Sequence, residues 1–280
     1  MTTRRATVPA IRAAKRRDGA VPLTMVTAYD EPTARLADAG GVDMLLVGDS
    51  VGNVVLGHAD TLSVTVETMA HHIAAVAAAN PEALIVGDMP WMSYHVDVAD
   101  SVRNAARLIR AGAACIKLEG GLNRVSVIRA IIDAEIPVMG HLGLTPQSVR
   151  AMGGFKVQGR STDAADTIRE AAKAVEEAGA FAVVLEGVPD LLGATITEDV
   201  SIPTIGIGAG NSTDGQVLVL HDLAGLGAHQ PPKFVRRYAD AGTVITDAVA
   251  AYVADVRSGA FPSEAEIYRT SDELRAHLEA

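Results

Sequence analysis

Aromatic side chains, cysteine and long apolar runs are scarce or missing in this sequence, and each absence excludes a class of protein. Aromatic residues make up only 4% of the 280 residues, and the single cysteine, Cys115, cannot form an internal disulfide. A lone cysteine agrees with a reducing compartment, so we expect a cytoplasmic location. No apolar run reaches the roughly 18–20 residues needed to cross a bilayer, which predicts a soluble protein with no membrane partner.

Positively charged residues are also fewer than negatively charged ones. The sequence has 24 Lys and Arg residues against 34 Asp and Glu residues, a formal net charge of -10. That balance argues against binding to a phosphate backbone, so we expect no nucleic-acid partner. Basic residues do cluster near the N-terminus, but no apolar segment follows them as in a secretion signal. We predict a short amphipathic lead-in helix there, with Arg4, Arg5, Arg12, Lys15, Arg16 and Arg17.

The apolar content is high and comes from Ala, Val, Ile and Leu. Hydrophobic residues make up 49% of the chain, which excludes disorder for the bulk of it. Small and branched aliphatic residues favour buried strands covered by closely packed helices. The length suits one α/β barrel as readily as two small domains.

Three stretches of the chain share one pattern. Residues 36–49, 109–119 and 175–186 each read as a helix end, an Ala-Gly stop, a short apolar strand and an acid. Gly40, Gly112 and Gly179 suit the left-handed backbone position just past a helix. Continuous apolar strands are expected where helices cover one face and a barrel interior the other.

Further strands and helices fill the gaps between these repeats. We predict strands at residues 22–28, 84–87, 137–140, 204–207 and 217–220, and helices at residues 66–79, 98–111, 123–134, 164–178 and 234–256. About eight strand–helix units result, the number that closes a parallel barrel. We therefore predict an α/β fold, a (β/α)8 TIM barrel formed as one domain over residues 1–280, with disorder confined to about residues 1–10.

An open doubly wound sheet is the competing architecture. A dinucleotide-binding sheet would carry Gly-x-Gly-x-x-Gly after its first strand, and no such motif follows residues 22–28. The glycines of residues 206–210 come late and lack the full motif. The TIM barrel is the better interpretation.

Two connections are too long to be plain turns. They run from Ser50 to about Thr65 and from His141 to about Ser161. Both leave the C-terminal end of a strand, which is the catalytic face of such barrels. Long loops at that face usually form lids or substrate walls, and we expect the same here.

Acidic residues end four different apolar strands: Asp49, Asp88, Glu119 and Glu186. A barrel brings all four to one mouth. Any one of them could cap the following helix, but four clustered carboxylates would repel one another unless neutralised. A divalent cation resolves that repulsion, and oxygen ligation without a Cys/His set indicates Mg²⁺ rather than Zn²⁺.

A lysine and a serine accompany the acids, and their roles stay open. Lys117 lies two residues before Glu119, so both point to the same face of a strand. Lys117 is a structural partner for the acids, a clamp on a substrate carboxylate or an imine-forming nucleophile. Ser50 either caps a helix or binds a substrate carboxylate. Among the histidines, His141 is the best candidate to line the site, with a purely structural role as the alternative.

Eight motifs carry a resemblance to a known family. They are Thr-Ala-Tyr-Asp at 27–30, Val-Gly-Asp-Ser at 47–50, Gly-Asp-Met-Pro at 87–90, Ile-Lys-Leu-Glu-Gly at 116–120, Gly-His-Leu-Gly-Leu-Thr-Pro at 140–146, Gly-Phe-Lys-Val-Gln-Gly at 154–159, Leu-Glu-Gly-Val-Pro at 185–189 and Gly-Ile-Gly-Ala-Gly-Asn at 206–211. In this order the chain resembles the ketopantoate hydroxymethyltransferases from about Ile11 to Tyr268. It departs from them in the first long loop, at Asn53 and Val55, and in residues 261–268.

The resemblance implies a function. Such enzymes are TIM barrels that transfer a hydroxymethyl group from 5,10-methylenetetrahydrofolate to 3-methyl-2-oxobutanoate, giving 2-dehydropantoate for pantothenate and coenzyme A biosynthesis. It also implies a homo-oligomer, a decamer. One Mg²⁺ per subunit would be bound by Asp49, Asp88 and, through water, Glu119.

The resemblance also assigns residues to the substrate. The oxo acid would chelate the metal beside Asp49 and Asp88, with Ser50 and Lys117 on its carboxylate, and Glu186 would be the base. His141 and Asn211 are further candidates for the pocket wall. A base that removes the C3 proton creates enolate charge, which a Lewis acid at the neighbouring oxygen stabilises.

Three other functions are consistent with parts of the pattern. A Mg²⁺-dependent oxo-acid lyase of the phosphoenolpyruvate mutase/isocitrate lyase type shares barrel and metal, but it usually carries a catalytic cysteine in a Lys-Cys-Gly-His loop, whereas Cys115 lies inside a predicted strand. A Schiff-base aldolase would use Lys117 as its nucleophile. A non-catalytic barrel should have lost at least one of Asp49, Asp88 and Glu186, and all three are present.

Overall fold

Eight parallel strands close into a barrel in the order of the sequence. The computed structural model describes residues 5–15, 21–227 and 231–280. The strands are β1 (Leu23–Thr27), β2 (Met44–Val47), β3 (Leu84–Asp88), β4 (Cys115–Glu119), β5 (Val138–Gly143), β6 (Ala182–Glu186), β7 (Thr204–Ile207) and β8 (Gly215–Leu218). Strand β1 pairs with both β2 and β8, which completes the ring. The TIM barrel prediction is confirmed.

Helices lie between the strands and at both ends of the chain. They are α1 (Val8–Ala13), α2 (Glu31–Ala39), α3 (Val51–Val54), α4 (Val66–Ala78), α5 (Val98–Arg110), α6 (Val125–Asp133), α7 (Val149–Met152), α8 (Thr162–Glu177), α9 (Asp190–Asp199), α10 (Leu220–Ala224), α11 (Ala241–Ser258) and α12 (Asp272–Leu278). Two single 3-10 turns occur at Leu122–Arg124 and Pro146–Ser148. No helix in the described ranges combines the length and the apolar character that a bilayer crossing requires.

The strands alternate between two hydrophobic clusters. In β4, Cys115 belongs to the cluster inside the barrel, whereas Ile116 and Leu118 belong to the cluster between barrel and helices. Because side chains alternate along a strand, Lys117 and Glu119 share the inward face of Cys115. In β3, Asp88 likewise shares the inward face of Val86, which belongs to the cluster inside the barrel. The strand sequence therefore places charged groups at one end of an apolar barrel interior.

Helix α1 closes the opposite end of the barrel. Ile11 packs into the interior cluster. Lys15 Nζ lies 2.9 Å from Asp214 Oδ2 and donates to the carbonyl oxygens of Thr197 and Ile202. The predicted lead-in helix is thus present. It begins at Val8, within the stretch for which disorder was expected, while residues 1–4 and 16–20, with Arg4, Arg16 and Arg17, lie outside the described residues.

Three predicted boundaries or conformations are wrong. Gly40 has a right-handed φ of -72°, because its N–H still bonds to the last turn of α2, and the left-handed position falls to Gly41 at 82°. Gly112 and Gly179 do have positive φ, at 120° and 102°. Strand β8 begins at Gly215, two residues early, and α11 begins only at Ala241. The helix predicted from residue 234 starts seven residues late, and Phe234 lies in an irregular segment that lines the cavity.

Helix α11 is exposed along almost its whole length. Its apolar side chains face outward, with Val244 68%, Ile245 54%, Val249 56% and Tyr252 56% exposed. None of its residues is buried. An exposed helix with this many apolar side chains is typical of a surface that another chain covers.

Candidate active site

The four strand-end acids lie in one cavity of about 830 Å³ at the C-terminal end of the barrel. Asp49, Asp88 and Glu119 are buried, with 4%, 1% and 4% of their surfaces exposed. Glu186 is half-buried. Lys117, Ser50 and His141 line the same cavity. The barrel thus brings together side chains from five separate strand ends.

Asp49 and Asp88 are in direct contact. The Asp49 backbone N–H donates to Asp88 Oδ2 at 3.1 Å. Burial and the negative charges of Asp88 and Glu119 raise the pKa of Asp49 well above its ordinary value, against the opposing effects of Lys117 and Gln147. An added positive charge at this position would relieve that cost.

Lys117 forms a buried ion pair. Its Nζ lies 2.9 Å from Asp88 Oδ1, and only 4% of its side chain is exposed. Burial by itself would lower the pKa of Lys117, but Asp88, Glu119 and Asp49 outweigh it and raise the pKa above its ordinary value. Lys117 is therefore an ammonium ion at neutral pH, which suits a charge clamp and opposes the neutral amine that imine formation needs.

His141 lies between two acids. Its Nε2 is 3.1 Å from Glu186 Oε2, and its Nδ1 is 3.5 Å from Glu119 Oε1 and 3.3 Å from Lys117 Nζ. Burial and Lys117 lower the pKa of His141, but the neighbouring carboxylates of Glu119 and Glu186 outweigh them and raise it to about 9. The ring contacts the Glu186 carboxylate from one side.

The side chain of Ser50 does not cap a helix. It occupies the position before α3, yet its hydroxyl makes no capping hydrogen bond. Instead, Ser50 Oγ lies 2.8 Å from the hydroxyl of Tyr29, which is fully buried. This contact keeps the serine hydroxyl at the cavity wall, where it can meet a ligand.

The residues fit a hard cation in part. Carboxylate oxygens are suitable ligands for Mg²⁺, and Glu119 Oε1 is buried without a hydrogen-bond partner among the described residues. Over that same part of the chain, no group of three or more His, Cys, Asp or Glu side chains is arranged to hold an ion directly. Gln147 already donates to two of the carboxylate oxygens. Its side-chain amide donates to Asp49 Oδ2, and its backbone N–H donates to Glu119 Oε2. The pair Asp49 and Asp88, which are joined by a hydrogen bond, fits best.

Residues 5–264 match the sequence model of one protein family, Ketopantoate hydroxymethyltransferase. This chain belongs to the ketopantoate hydroxymethyltransferase family. The match confirms the resemblance carried by the eight motifs.

Relatives of this hydroxymethyltransferase family are similar over most of the chain. The 3-methyl-2-oxobutanoate hydroxymethyltransferase of Pelobacter propionicus is 58% identical over 243 residues, covering 86% of this chain and 90% of that protein. The 3-methyl-2-oxobutanoate hydroxymethyltransferase 2 of Bradyrhizobium diazoefficiens is 52% identical over 271 residues, covering 97% and 92%.

Solved structures outside the hydroxymethyltransferases share the fold. Phosphonopyruvate hydrolase in complex with oxalate and Mg²⁺ superimposes with a TM-score of 0.60 at 15% identity, over 98% of this chain and 95% of that one. The 2,3-dimethylmalate lyase, a member of the PEP mutase/isocitrate lyase superfamily, gives 0.57 at 15% identity, over 98% and 94%. At these identities the likeness supports the barrel alone.

Gln147 is a contact residue that the sequence analysis missed. Its Nε2 donates to Asp49 Oδ2 at 2.9 Å and to the Met89 carbonyl at 3.0 Å, and its Oε1 accepts from the Tyr94 hydroxyl at 2.6 Å. It is 4% exposed. The one signal in the sequence is its place directly after the 140–146 motif, in a long loop. Buried amides that bridge distant acids leave no periodic pattern.

One predicted pocket residue and the two long loops remain to be compared with the structure. Asn211 is exposed and does not line the cavity, although its neighbour Gly210 does. Arg150 Nη2 binds Asp60 Oδ2 at 3.0 Å and so joins the two long loops to each other. The predicted wall is formed by the second loop, whereas the first contributes Ser50; the second loop's lining residues are Leu144, Pro146, Phe155, Lys156 and Val157.

Proposed function

We propose that this protein transfers a hydroxymethyl group to 3-methyl-2-oxobutanoate, giving 2-dehydropantoate, with 5,10-methylenetetrahydrofolate and water supplying the one-carbon unit. The family membership and the names of relatives at 52–58% identity support this activity. The observation that carries it is structural. Four strand-end carboxylates and one ammonium group converge in a single cavity.

The carboxylate of the oxo acid binds between Ser50 and Lys117 in this proposal. Both side chains line the cavity. Tyr29 holds the serine hydroxyl through the 2.8 Å contact, and Asp88 holds the lysine ammonium. The substrate is therefore oriented by groups whose own positions are already set, which lowers the entropy lost on binding.

Asp49 and Asp88 would hold Mg²⁺, with Glu119 contacting it through water. When bound, the ion would supply positive charge that polarises the 2-oxo group and stabilises the enolate. The raised pKa of Asp49 supports a cation at this place, since burial beside two acids is costly for its ionised form.

Glu186 takes the C3 proton of the oxo acid. Its carboxylate is the least buried of the four, with 16% of the side chain exposed toward the cavity that it lines. His141 Nε2 lies 3.1 Å from Glu186 Oε2, so the ring limits the orientations open to this carboxylate. Water adds to the methylene carbon of the donor and both of its C–N bonds break, which releases tetrahydrofolate and leaves a formaldehyde-level one-carbon unit. The enolate carbon attacks that unit to form the new carbon–carbon bond, and the resulting alkoxide takes back the proton held by Glu186.

The rival activities fit the cavity less well. Cys115, which a lyase of the phosphoenolpyruvate mutase/isocitrate lyase type would use for catalysis, is fully buried in the barrel interior, and burial raises the pKa of its thiol. The protonated Lys117 argues against a Schiff-base aldolase. No observation favours either.

A proton-exchange experiment tests the proposed reaction. The protein is incubated with 3-methyl-2-oxobutanoate and Mg²⁺ in D₂O, and the C3 proton is followed by NMR. We expect exchange without the folate donor, product only with it, and loss of both under exhaustive chelation. Absence of exchange together with absence of product would exclude this function.

We also propose that the protein acts in the cytoplasm as a homo-oligomer, a decamer according to the family resemblance. The exposed apolar side chains of α11 support a contact between copies of the chain. Light scattering should give a mass well above the monomer's 29.0 kDa, and replacing Val244 and Ile245 by Ser should lower it. A monomeric wild-type protein would contradict this.

A further inference from the structure

The cavity is much larger than the oxo acid requires. Its volume of about 830 Å³ lies in the range that accommodates a drug-sized ligand. A five-carbon oxo acid bound at Ser50 and Lys117 fills the acid-lined inner part only. The outer part must hold water or a second, larger molecule.

Lysine and phenylalanine are concentrated around this outer part. The chain has five lysines and four phenylalanines. Two of the lysines, Lys156 and Lys233, and two of the phenylalanines, Phe155 and Phe234, line the cavity from exposed positions. With Lys117 included, three of the five lysines face one cavity, in a chain whose net charge is -10.

These four residues come from two similar tripeptides in different loops. Phe155-Lys156-Val157 lies in the long connection after β5, and Lys233-Phe234-Val235 lies in the connection between α10 and α11. Each places one ring and one ammonium group at the cavity. Two loops that are far apart in the sequence thus present the same pair of chemical groups.

The outer groups are exposed, unlike the acids. Phe155 is 60% and Phe234 is 38% exposed, and both lysines are exposed as well. Phe234 nevertheless packs against the backbone, because its ring lies against Gly208. A Cβ added at Gly208 would come within 2.8 Å of the ring. Exposed rings beside a cavity are typical of a surface that a ligand covers.

We propose that Phe155, Lys156, Lys233 and Phe234 form the binding subsite for the one-carbon donor, a reduced pterin that carries glutamyl carboxylates. This inference rests on the proposed function and adds the residues that hold the second substrate. The rings cover the flat bicyclic and benzoyl parts of the donor, and the lysines bind its carboxylates. Asp190 and Asp222, which also line the cavity, accept hydrogen bonds from the N–H groups of the pterin.

Charge removal at both lysines tests the subsite. In the Lys156→Gln/Lys233→Gln double variant, the KM for 5,10-methylenetetrahydrofolate should rise by about tenfold or more, since two charge-assisted hydrogen bonds are lost. Exchange of the C3 proton of the oxo acid, measured without the donor, should stay within about twofold of wild type. Lys173→Gln is the matched control, because Lys173 is exposed on α8, pairs with Asp199 at 3.6 Å and does not line the cavity.

A binding measurement separates this inference from the proposed function. Titration of 5-formyltetrahydrofolate by calorimetry into wild-type protein and into both kinds of variant needs no turnover. Weaker binding in the double variant, with wild-type binding in Lys173→Gln, supports the subsite. Equal affinity in all three proteins, or an unchanged KM in the double variant, overturns it. Lack of C3 exchange in the wild type would instead count against the proposed function alone.

Discussion

Gln147 Nε2 donates a hydrogen bond of 2.9 Å to Asp49 Oδ2, across 98 residues of sequence. The same amide reaches the Met89 carbonyl and the Tyr94 hydroxyl. One buried side chain from the loop after β5 therefore connects the ends of β2 and β3. The position of the Asp49 carboxylate depends on this loop as well as on its own strand.

Replacing Gln147 tests that dependence. Gln147→Met keeps the approximate size but removes the amide, which leaves buried polar partners unpaired. We expect the free energy of unfolding to fall by about 1–3 kcal/mol, measured by urea denaturation. The KM for the oxo acid should rise as well, because Asp49 loses its orientation. Gln158→Met in the same loop is the control, since Gln158 Nε2 donates only to the Lys156 carbonyl. Equal behaviour of the two variants would contradict the role of Gln147.

Asp49 should make the metal-free protein less stable as pH rises. Because the pKa of Asp49 is raised above its ordinary value of 3.8, the folded state binds more protons than the unfolded state between that value and the raised one. Stability attributable to Asp49 therefore falls with increasing pH through this window. We expect Asp49→Asn to raise the Tm of the metal-free protein at pH 7.

The same variant should lose the stabilisation that Mg²⁺ gives to the wild type, since an ion that binds only the folded state raises its stability. Thermal unfolding with chelator and with Mg²⁺ measures both effects. An Asp49→Asn variant that is less stable without metal, or that still responds fully to Mg²⁺, would exclude this account.

Glu186→Gln should separate binding from proton transfer. The amide keeps the size of the side chain but cannot take a proton. Binding of the oxo acid and Mg²⁺ should survive, while C3 exchange and product formation should both fall by roughly 10²–10⁴, the usual contribution of a positioned general base. The two losses should be parallel, because enolisation precedes attack on the one-carbon unit. If exchange stays fast while product formation collapses, Glu186 serves the second step instead.

Lys117 should act as a charge and form no imine. Its ion pair with Asp88 keeps it protonated, so borohydride treatment with the oxo acid should leave the mass of the protein unchanged. Lys117→Arg should retain measurable substrate binding with altered geometry, because the guanidinium is longer and planar. A stoichiometric adduct at Lys117, found by mass spectrometry, would place the enzyme in the Schiff-base class.

Cys115 should be inert in the folded protein. Its thiol is fully buried, and burial raises its pKa, so little thiolate forms. Iodoacetamide should not modify it at pH 8 until denaturant is added, and Cys115→Ala should keep activity within about threefold of wild type. Rapid native labelling that stops turnover would favour a catalytic cysteine and hence a lyase.

The amino-acid sequence alone determined the architecture and the presence of acids near the ends of four strands. Apolar runs bounded by Ala-Gly stops predicted the barrel, because a local pattern of burial repeats along the chain. Alternation in Cys115–Glu119 placed Lys117 and Glu119 inward, and the acids at the ends of β3, β4 and β6 and just after β2 marked the mouth. Such features depend on residues close together in the sequence.

Only the tertiary structure decided which groups touch. His141 contacts both Glu119 and Glu186, Ser50 contacts Tyr29 rather than capping α3, and Phe234 lies against Gly208. Each of these contacts joins separate βα units, and their geometry follows from barrel closure and from the paths of irregular loops. Neither barrel closure nor the path of an irregular loop leaves a periodic signal in the sequence. The physical reason is that hydrogen bonds and ring contacts between distant residues depend on positions within a few tenths of an ångström, which the packed barrel sets and local propensity does not.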